Sequence, residues 1–492
     1  MSDTLTYVEG AHSLASGEGY VAHGRLVTVR PPGYSLSLVP LVLVGTDTIR
    51  DFKVLNIVFA VAAVALYALA ISSVAGKLLG LLAAVACGIS FPWIYYTHAV
   101  LSEMLFTFLL AVFLVAGVRQ VAKPGKGSLV ALIGAAAALP MVRFAGIAVL
   151  PVGALILWLG SHKETVSLRR RFGRMSVGVV VALCPMILYF LRNMAVSGQW
   201  SSYETGVSAE YALTVGRIGI DKFNMLTRMW VNARGYLHIL IVPDQSGIAR
   251  VSSLPWWLSL ACAGSWVMVM VGVVRALLSS RGRVLALTSG CYGGLLMVNI
   301  WYDIRYLLPV LPLFFWFLAD GMASTVAWLA GRIGLRPAGS MRILLSTKVL
   351  SAAFLSLVLV ANMAFALKSG KSAKLRSENY EGVVKRMHDA AVFTSDRPEA
   401  GAVLVAGGAG FVRLWSGRRV VNALSWLDAD RKLTVQSLPD DVSFVLLDEN
   451  EFAPYRQQYL EPLVEASREE LEVAFEAGRT VVFVRREASR SL

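Results

Sequence analysis

Residues 54–74 read VLNIVFAVAAVALYALAISSV, a run with no charged side chain. As a helix rising 1.5 Å per residue it extends about 31 Å, the thickness of a bilayer's hydrocarbon core. Further apolar runs lie at 77–95, 101–118, 128–141, 144–160, 176–195, 255–274, 284–300, 306–328 and 344–367, so about ten spans are expected. The pair 128–141 and 144–160 is short and broken by Pro140, Arg143 and Pro151, which predicts a tight hairpin.

The composition agrees. Of 492 residues, 56% are apolar and 16% charged, where soluble domains carry ~45–50% and ~25%. A soluble enzyme of ordinary type and a disordered chain are both excluded. Cys87, Cys184, Cys262 and Cys291 all lie in apolar stretches. There a thiol behaves as a small hydrophobe, and neither a disulfide framework nor a Cys-based metal site is indicated.

The net charge of +14 would suggest nucleic acid in a soluble chain, but its distribution points elsewhere. One alternate set of connections holds Lys77, Arg119, Lys123, Lys126, Lys163, Arg169, Arg170, Arg171, Arg174, Arg275, Arg281, Arg283, Arg332, Arg336, Arg342 and Lys348 against one acid, Glu164. The opposite set carries 12 basic and 11 acidic residues. Cationic loops stay in the cytoplasm, so the surplus is a topology signal and no nucleic-acid partner is expected. Residues 1–53 and everything after 368 then lie outside, in a multi-pass protein of a bacterial cytoplasmic (inner) membrane.

Three domains follow: an outer loop (1–53), a transmembrane domain (54–367) and a C-terminal domain (368–492). The last has 18 basic and 19 acidic residues and short apolar runs. Residues 402–406, 419–424, 443–448 and 480–485 read as strands, and 375–394, 451–461 and 467–478 as helices, giving a small α/β domain. Gly407-Gly408-Ala409-Gly410 matches neither the dinucleotide nor the Walker spacing and reads as a strand-to-helix turn. The fold class is therefore mainly α, a polytopic helical membrane protein with a small outer α/β domain.

In the first loop, Leu5, Val8, Ala11, Leu14 and Ala15 recur at helical spacing, which predicts an amphipathic helix along the membrane surface. Gly17-Glu18-Gly19-Tyr20 and Arg30-Pro31-Pro32-Gly33-Tyr34 then enforce a compact loop. The order of Asp3, Tyr7, short helix, G-x-G-Y turn and P-P-G-Y segment resembles the first outer loop of the membrane glycosyltransferases of the C-type (GT-C) fold. The branch is that of the protein O-mannosyltransferases and the lipid A aminoarabinose transferase. Leu101-Ser102-Glu103-Met104-Leu105-Phe106 and Arg305-Tyr306-Leu307-Leu308-Pro309-Val310-Leu311-Pro312 agree with it. The resemblance covers residues 1 to about 325. In that family a further span precedes the acidic loop, so an apolar run of roughly 20 residues is expected upstream of Met1.

The resemblance implies a sugar donor carried on a polyprenyl phosphate, membrane lipids as surroundings, and a lipid, glycan or protein acceptor. It makes Asp3 the candidate general base and implies inversion at the anomeric carbon; the alternative for Asp3 is a helix N-cap. Tyr7, Arg30, Arg143, Arg192, Arg305 and Tyr306 are the candidate substrate-binding residues. A guanidinium fork suits phosphate oxygens, and the alternative for each arginine is snorkelling or pairing with an acid. For Arg305 that acid would be Asp303. His98 and Glu103 are candidate ligands of a divalent metal ion, although two ligands alone do not make a site. Glu103 alternatively orients the acceptor or meets the positive end of a helix. Asp320 is the one acid deep in a span and reads as interfacial. The segment 196–254 holds Tyr203, Glu204, Tyr211, Trp230, Tyr236 and His238, with aromatics suited to sugar stacking or to the lipid interface. Two other classes stay open: a transporter or flippase of lipid-linked saccharides, and a non-catalytic envelope-polysaccharide assembly protein.

Overall fold

The computed structural model describes residues 2–22, 25–28, 30–46, 48–160, 167–198, 256–298, 304–332, 348–360, 388–397, 401–405, 420–422, 442–447, 460–477 and 480–486, with 229, 232, 236 and 386. It forms two compact units, Gly10–Leu367 and Met1–Glu9 with Lys368–Leu492.

The larger unit is helical. Among the described residues, four helices are long and apolar enough to cross a membrane: Ile49–Ala75, Glu103–Ala122, Leu168–Ser197 and Leu308–Arg332, the last opening with a 3-10 turn. Shorter apolar helices run over Lys77–Gly88, Lys126–Val142, Phe144–Leu159, Ala263–Leu277 and Lys348–Val360. Their positions follow the apolar runs of the sequence, with one exception. The run 77–95, expected as a single span, is two helices, Lys77–Gly88 and Phe91–Thr97. Pro92 in the first turn of the second lacks the N–H that would continue the first, and the residue before a proline avoids helical geometry.

Ile49–Ala75 begins with a reciprocal cap, in which the Thr48 hydroxyl accepts from the Asp51 N–H and the Asp51 carboxylate accepts from the Thr48 N–H. This helix also ties neighbouring segments together. The Tyr34 hydroxyl donates to Asn56 Oδ1 (3.0 Å) and Asn56 Nδ2 to the Ala99 carbonyl (2.6 Å). Tyr67 donates to the Pro309 carbonyl.

Helices Trp256–Leu277 and Leu311–Arg332 approach at two glycines. A Cβ at Gly321 would lie 1.8 Å from the Met268 carbonyl oxygen, and one at Gly272 would lie 2.1 Å from that of Phe317. Between helices surrounded by lipid, such close backbone packing replaces the hydrophobic drive available in water. Below it, Arg275 Nε pairs with Asp320 Oδ2 at 2.8 Å, so the deep acid joins the same two helices.

The expected amphipathic helix is present over Ser2–Ala15, with Val8 and Ala11 buried and His12 exposed. After it, strands β1 (Val21–Ala22) and β2 (Arg25–Leu26) form a short antiparallel pair. Tyr20, Ala22 and Val27 pack together there with Leu14.

In the smaller unit the described strands are β3 (Ala402–Val405), β4 (Val420–Asn422), β5 (Val442–Leu447), β6 (Leu471–Ala477) and β7 (Thr480–Arg485). They lie in the order β4-β3-β5-β7-β6, with β3 parallel to β4 and β5, and β7 antiparallel to β5 and β6. Both faces are covered, Leu404 and Val445 packing with Leu463, and Val403 and Phe444 with Ala390 and Ala391. This explains why β3 and β5 read as unbroken apolar runs.

One expectation is corrected. Within the expected helix 467–478, residues Leu471–Ala477 are strand β6, and the helix is Glu461–Ala466. Leu471, Val473 and Phe475 alternate with period two, and β7 supplies the ladder that overrides the helix propensity of the glutamates. The Gly407–Gly410 turn and most of the expected helices 375–394 and 451–461 lie outside the described residues.

The glycine contact yields a direct test. Gly321→Ala is expected to destabilise the protein by about 1–3 kcal/mol, seen as a lower thermal midpoint in detergent; an unchanged midpoint contradicts the packing described.

Candidate anion site

Glu103 is the first residue of helix Glu103–Ala122, preceded by Ser102, whose side chain makes no cap hydrogen bond. Its carboxylate meets two arginines. Oε1 lies 2.5 Å from Arg143 Nη1 and 3.8 Å from Arg305 Nε. Glu103 is 2% exposed, whereas the two guanidinium side chains are 15% and 25% exposed. The carboxylate is thus on the inside and the cations toward an opening.

Local sequence explains how each arginine arrives. Arg143 caps Lys126–Val142 in an extended conformation, and the chain continues as the 3-10 helix Phe144–Val149. The elbow closes through the Gly146 N–H to the Arg143 carbonyl (2.8 Å). A Cβ at Gly146 would lie 2.4 Å from the Leu139 backbone, so only glycine fits. Arg305 and Tyr306 stand on the 3-10 turn Ile304–Tyr306, followed by a second turn at Leu308–Val310. Pro309 and Pro312 favour such short turns over a continuous helix.

Tyr306 joins the two cations. The guanidinium carbons of Arg143 and Arg305 lie 4.9 and 5.1 Å from its ring centroid, and Arg305 Nη2 donates to its hydroxyl at 3.2 Å. A ring quadrupole and a carboxylate between them offset the repulsion of two guanidiniums held close together. Among the described residues one acid meets two bases in this cluster, an arrangement that suits an incoming anion. Planar forks that meet at one point are suited to phosphate oxygens.

Arg192 is engaged with the backbone of the N-terminal loop. Arg192 Nη1 donates to the Val27 carbonyl (2.8 Å) and to Asn193 Oδ1 (3.0 Å), and Nη2 to the Tyr20 carbonyl (3.3 Å). Asn193 donates to the Thr28 carbonyl, and Tyr189 to that of Arg30 at 2.8 Å. Tyr189, Arg192 and Asn193 share one helix face and hold the N-terminal loop by its backbone. Arg30 is half-buried on that held segment. Tyr7 is 3% exposed within Ser2–Ala15, and Asp3 is in the first turn of that helix, with its side chain outside the described residues.

His98 is exposed at the end of helix Phe91–Thr97. No group of three or more metal-ligating side chains occurs among the described residues. With two guanidiniums against its carboxylate, Glu103 is in surroundings that oppose a dication, so His98 and Glu103 do not fit a metal site. Asp303 and most of the aromatic segment 196–254 lie outside the described residues, although Tyr236 is described and buried.

The sequence reading missed Tyr292. It is fully buried in Ser280–Val298, its ring 5.7 Å from that of Phe106 and within electrostatic reach of Arg143, Glu103 and Tyr306. A lone tyrosine in an apolar run carries no signal that would single it out.

No family model matches the chain, and no curated protein matches it by sequence. Solved structures do match. ArnT from Cupriavidus metallidurans in the apo state superposes with TM-score 0.55 at 12% identity, over 98% of this chain and 93% of that one. ArnT bound to undecaprenyl phosphate gives 0.54 at 13%, with the same coverage. The apo oligosaccharyltransferase of Archaeoglobus fulgidus gives 0.53 at 11%, over 91% of this chain and 65% of that one. The chain therefore has the GT-C fold of polytopic membrane glycosyltransferases.

Removing one partner of a buried ion pair costs about 3–5 kcal/mol. Glu103→Ala is expected to lower the thermal midpoint accordingly, and Glu103→Gln less, because its amide oxygen still accepts from Arg143. Equal stability of Glu103→Ala and the native protein contradicts the assignment.

Proposed function

We propose that the protein is a membrane glycosyltransferase that moves a sugar from a polyprenyl-phosphate carrier to an acceptor hydroxyl outside the cytoplasm. The observation that carries this reading is the convergence of Arg143, Arg305 and Tyr306 on one point around Glu103. The shared fold, found also in a protein bound to undecaprenyl phosphate, supports it. On this reading the arginines receive the phosphate and Arg192 positions the outer loop.

The chemistry balances as follows. The acceptor oxygen forms a bond to the anomeric carbon, the bond from that carbon to the phosphate oxygen breaks, and the electron pair leaves with the phosphate. The acceptor proton passes to Asp3, the carboxylate that serves as general base. Attack opposite the leaving group inverts the centre. Arg143 and Arg305 stabilise the charge that gathers on the phosphate.

A transporter of lipid-linked saccharides would place paired acids and bases at mid-membrane and show symmetric halves. The cluster of Arg143, Glu103 and Arg305 sits instead at helix ends, which favours transfer chemistry.

The test is transfer of labelled sugar from a polyprenyl-phosphate donor into envelope material. Asp3→Asn is expected to lower transfer by about 10²-fold or more with donor binding retained, whereas Arg305→Ala is expected to weaken donor binding. Undiminished transfer by Asp3→Asn removes Asp3 as base, and unchanged donor affinity in Arg305→Ala removes the phosphate site.

A further inference from the structure

Two buried polar groups beside the arginines have complementary needs. Among the described residues Glu103 Oε2 has no hydrogen-bond partner, and neither does the Tyr292 hydroxyl; both atoms are sealed from solvent. One is an acceptor without a donor and the other can donate but has no acceptor. Burying such groups unpaired costs about 1–3 kcal/mol each, and native interiors seldom leave them so.

The placement is fixed from two sides. Phe106 lies three residues after Glu103, hence on the same face of its helix, and its ring packs on that of Tyr292. The Glu103 carbonyl accepts from Thr107 at 2.7 Å, which anchors the first turn. Tyr292 lies within electrostatic range of Arg143, Glu103 and Tyr306. Being fully buried, whereas the guanidiniums are partly open, the phenol lies behind the cluster.

From this the geometry points to Tyr292 as a positioning residue: when a phosphate engages Arg143 and Arg305, the Glu103 carboxylate turns to the Tyr292 hydroxyl and releases the guanidinium forks. The inference rests on the phosphate reading proposed above. In the absence of phosphate Oε1 is held by Arg143. A phosphate with more charge displaces it, and the carboxylate, too buried to return to water, takes the waiting O–H. No proton is transferred and no bond other than hydrogen bonds is exchanged. The Tyr292 hydroxyl, unlike its packed ring, therefore adds nothing to the fold at rest and lowers the cost of binding the anion.

The experiment measures undecaprenyl phosphate affinity and ligand-free thermal midpoint for the full chain in detergent, in the native protein, Tyr292→Phe, Glu103→Gln and the double variant. Undecaprenol, the tail without the charge, is the blank. Tyr292→Phe preserves shape and is expected to keep or raise the ligand-free midpoint, because the hydroxyl it removes is unpaired. Its affinity for undecaprenyl phosphate is expected to fall about tenfold, the effect of one hydrogen bond to a charged group. In the Glu103→Gln background that fall is expected to vanish, since no carboxylate needs a donor.

Native affinity in Tyr292→Phe overturns the inference. So does a loss that persists undiminished beside Glu103→Gln, which would make Tyr292 a direct ligand contact, and so does a lowered ligand-free midpoint, which would make its hydroxyl a structural bond. Arg305→Ala serves as control. If it too binds undecaprenyl phosphate at native affinity, the phosphate site itself falls, whereas its loss with native behaviour of Tyr292→Phe removes only the positioning role.

Discussion

A buried carboxylate holding two guanidiniums is the constraint on which the site depends. Arg143 and Arg305 are 162 positions apart in the chain, and without Glu103 their like charges would repel each other. With it they share the face of Tyr306 and remain close enough to act on one anion. A charge in a membrane protein is expensive unless it is paired or faces a polar cavity, and this cluster does the first while leaving its cationic side partly open. Among the described residues, two guanidiniums on one carboxylate set this cluster apart from a one-to-one ion pair such as Arg275 with Asp320.

Much of the surrounding architecture serves to fix the segments that carry these residues. Asn56 holds the connection before Glu103 through the Ala99 carbonyl, and Tyr67 holds the turn after Tyr306 through Pro309. The elbow that presents Arg143 needs a glycine at 146. The polar row Tyr189, Arg192 and Asn193 grips the carbonyls of the N-terminal loop. Binding through backbone carbonyls fixes the path of that loop while leaving its side chains to vary. On the proposed reading, this support holds the arginines within the tolerance that phosphate recognition requires.

The spans were legible because hydrocarbon thickness imposes a length and a polarity on every crossing, as in 54–74. Arg143 and Arg305 stood out as charges at the ends of apolar runs, and Tyr306 through the motif around Pro309. Their meeting at Glu103 was not legible, because contact across 40 to 200 residues leaves no local pattern. The break at Pro92 was written in the sequence and overlooked inside a long apolar run. Residues 467–478 misled for a different reason: their glutamates favour a helix locally, while the partner strand β7 decides the outcome. Tyr292 gave no signal at all, since a buried aromatic is ordinary until its hydroxyl is seen to lack a partner.

The central claim is that Arg143 and Arg305 together receive a phosphate, and an electron cryomicroscopy structure of the protein in lipid nanodiscs with undecaprenyl phosphate tests it most directly. The account predicts phosphate oxygens about 3 Å from nitrogens of both guanidiniums, with the Glu103 carboxylate turned away from Arg143. A phosphate bound elsewhere, with the Glu103 pairing to Arg143 intact, contradicts it.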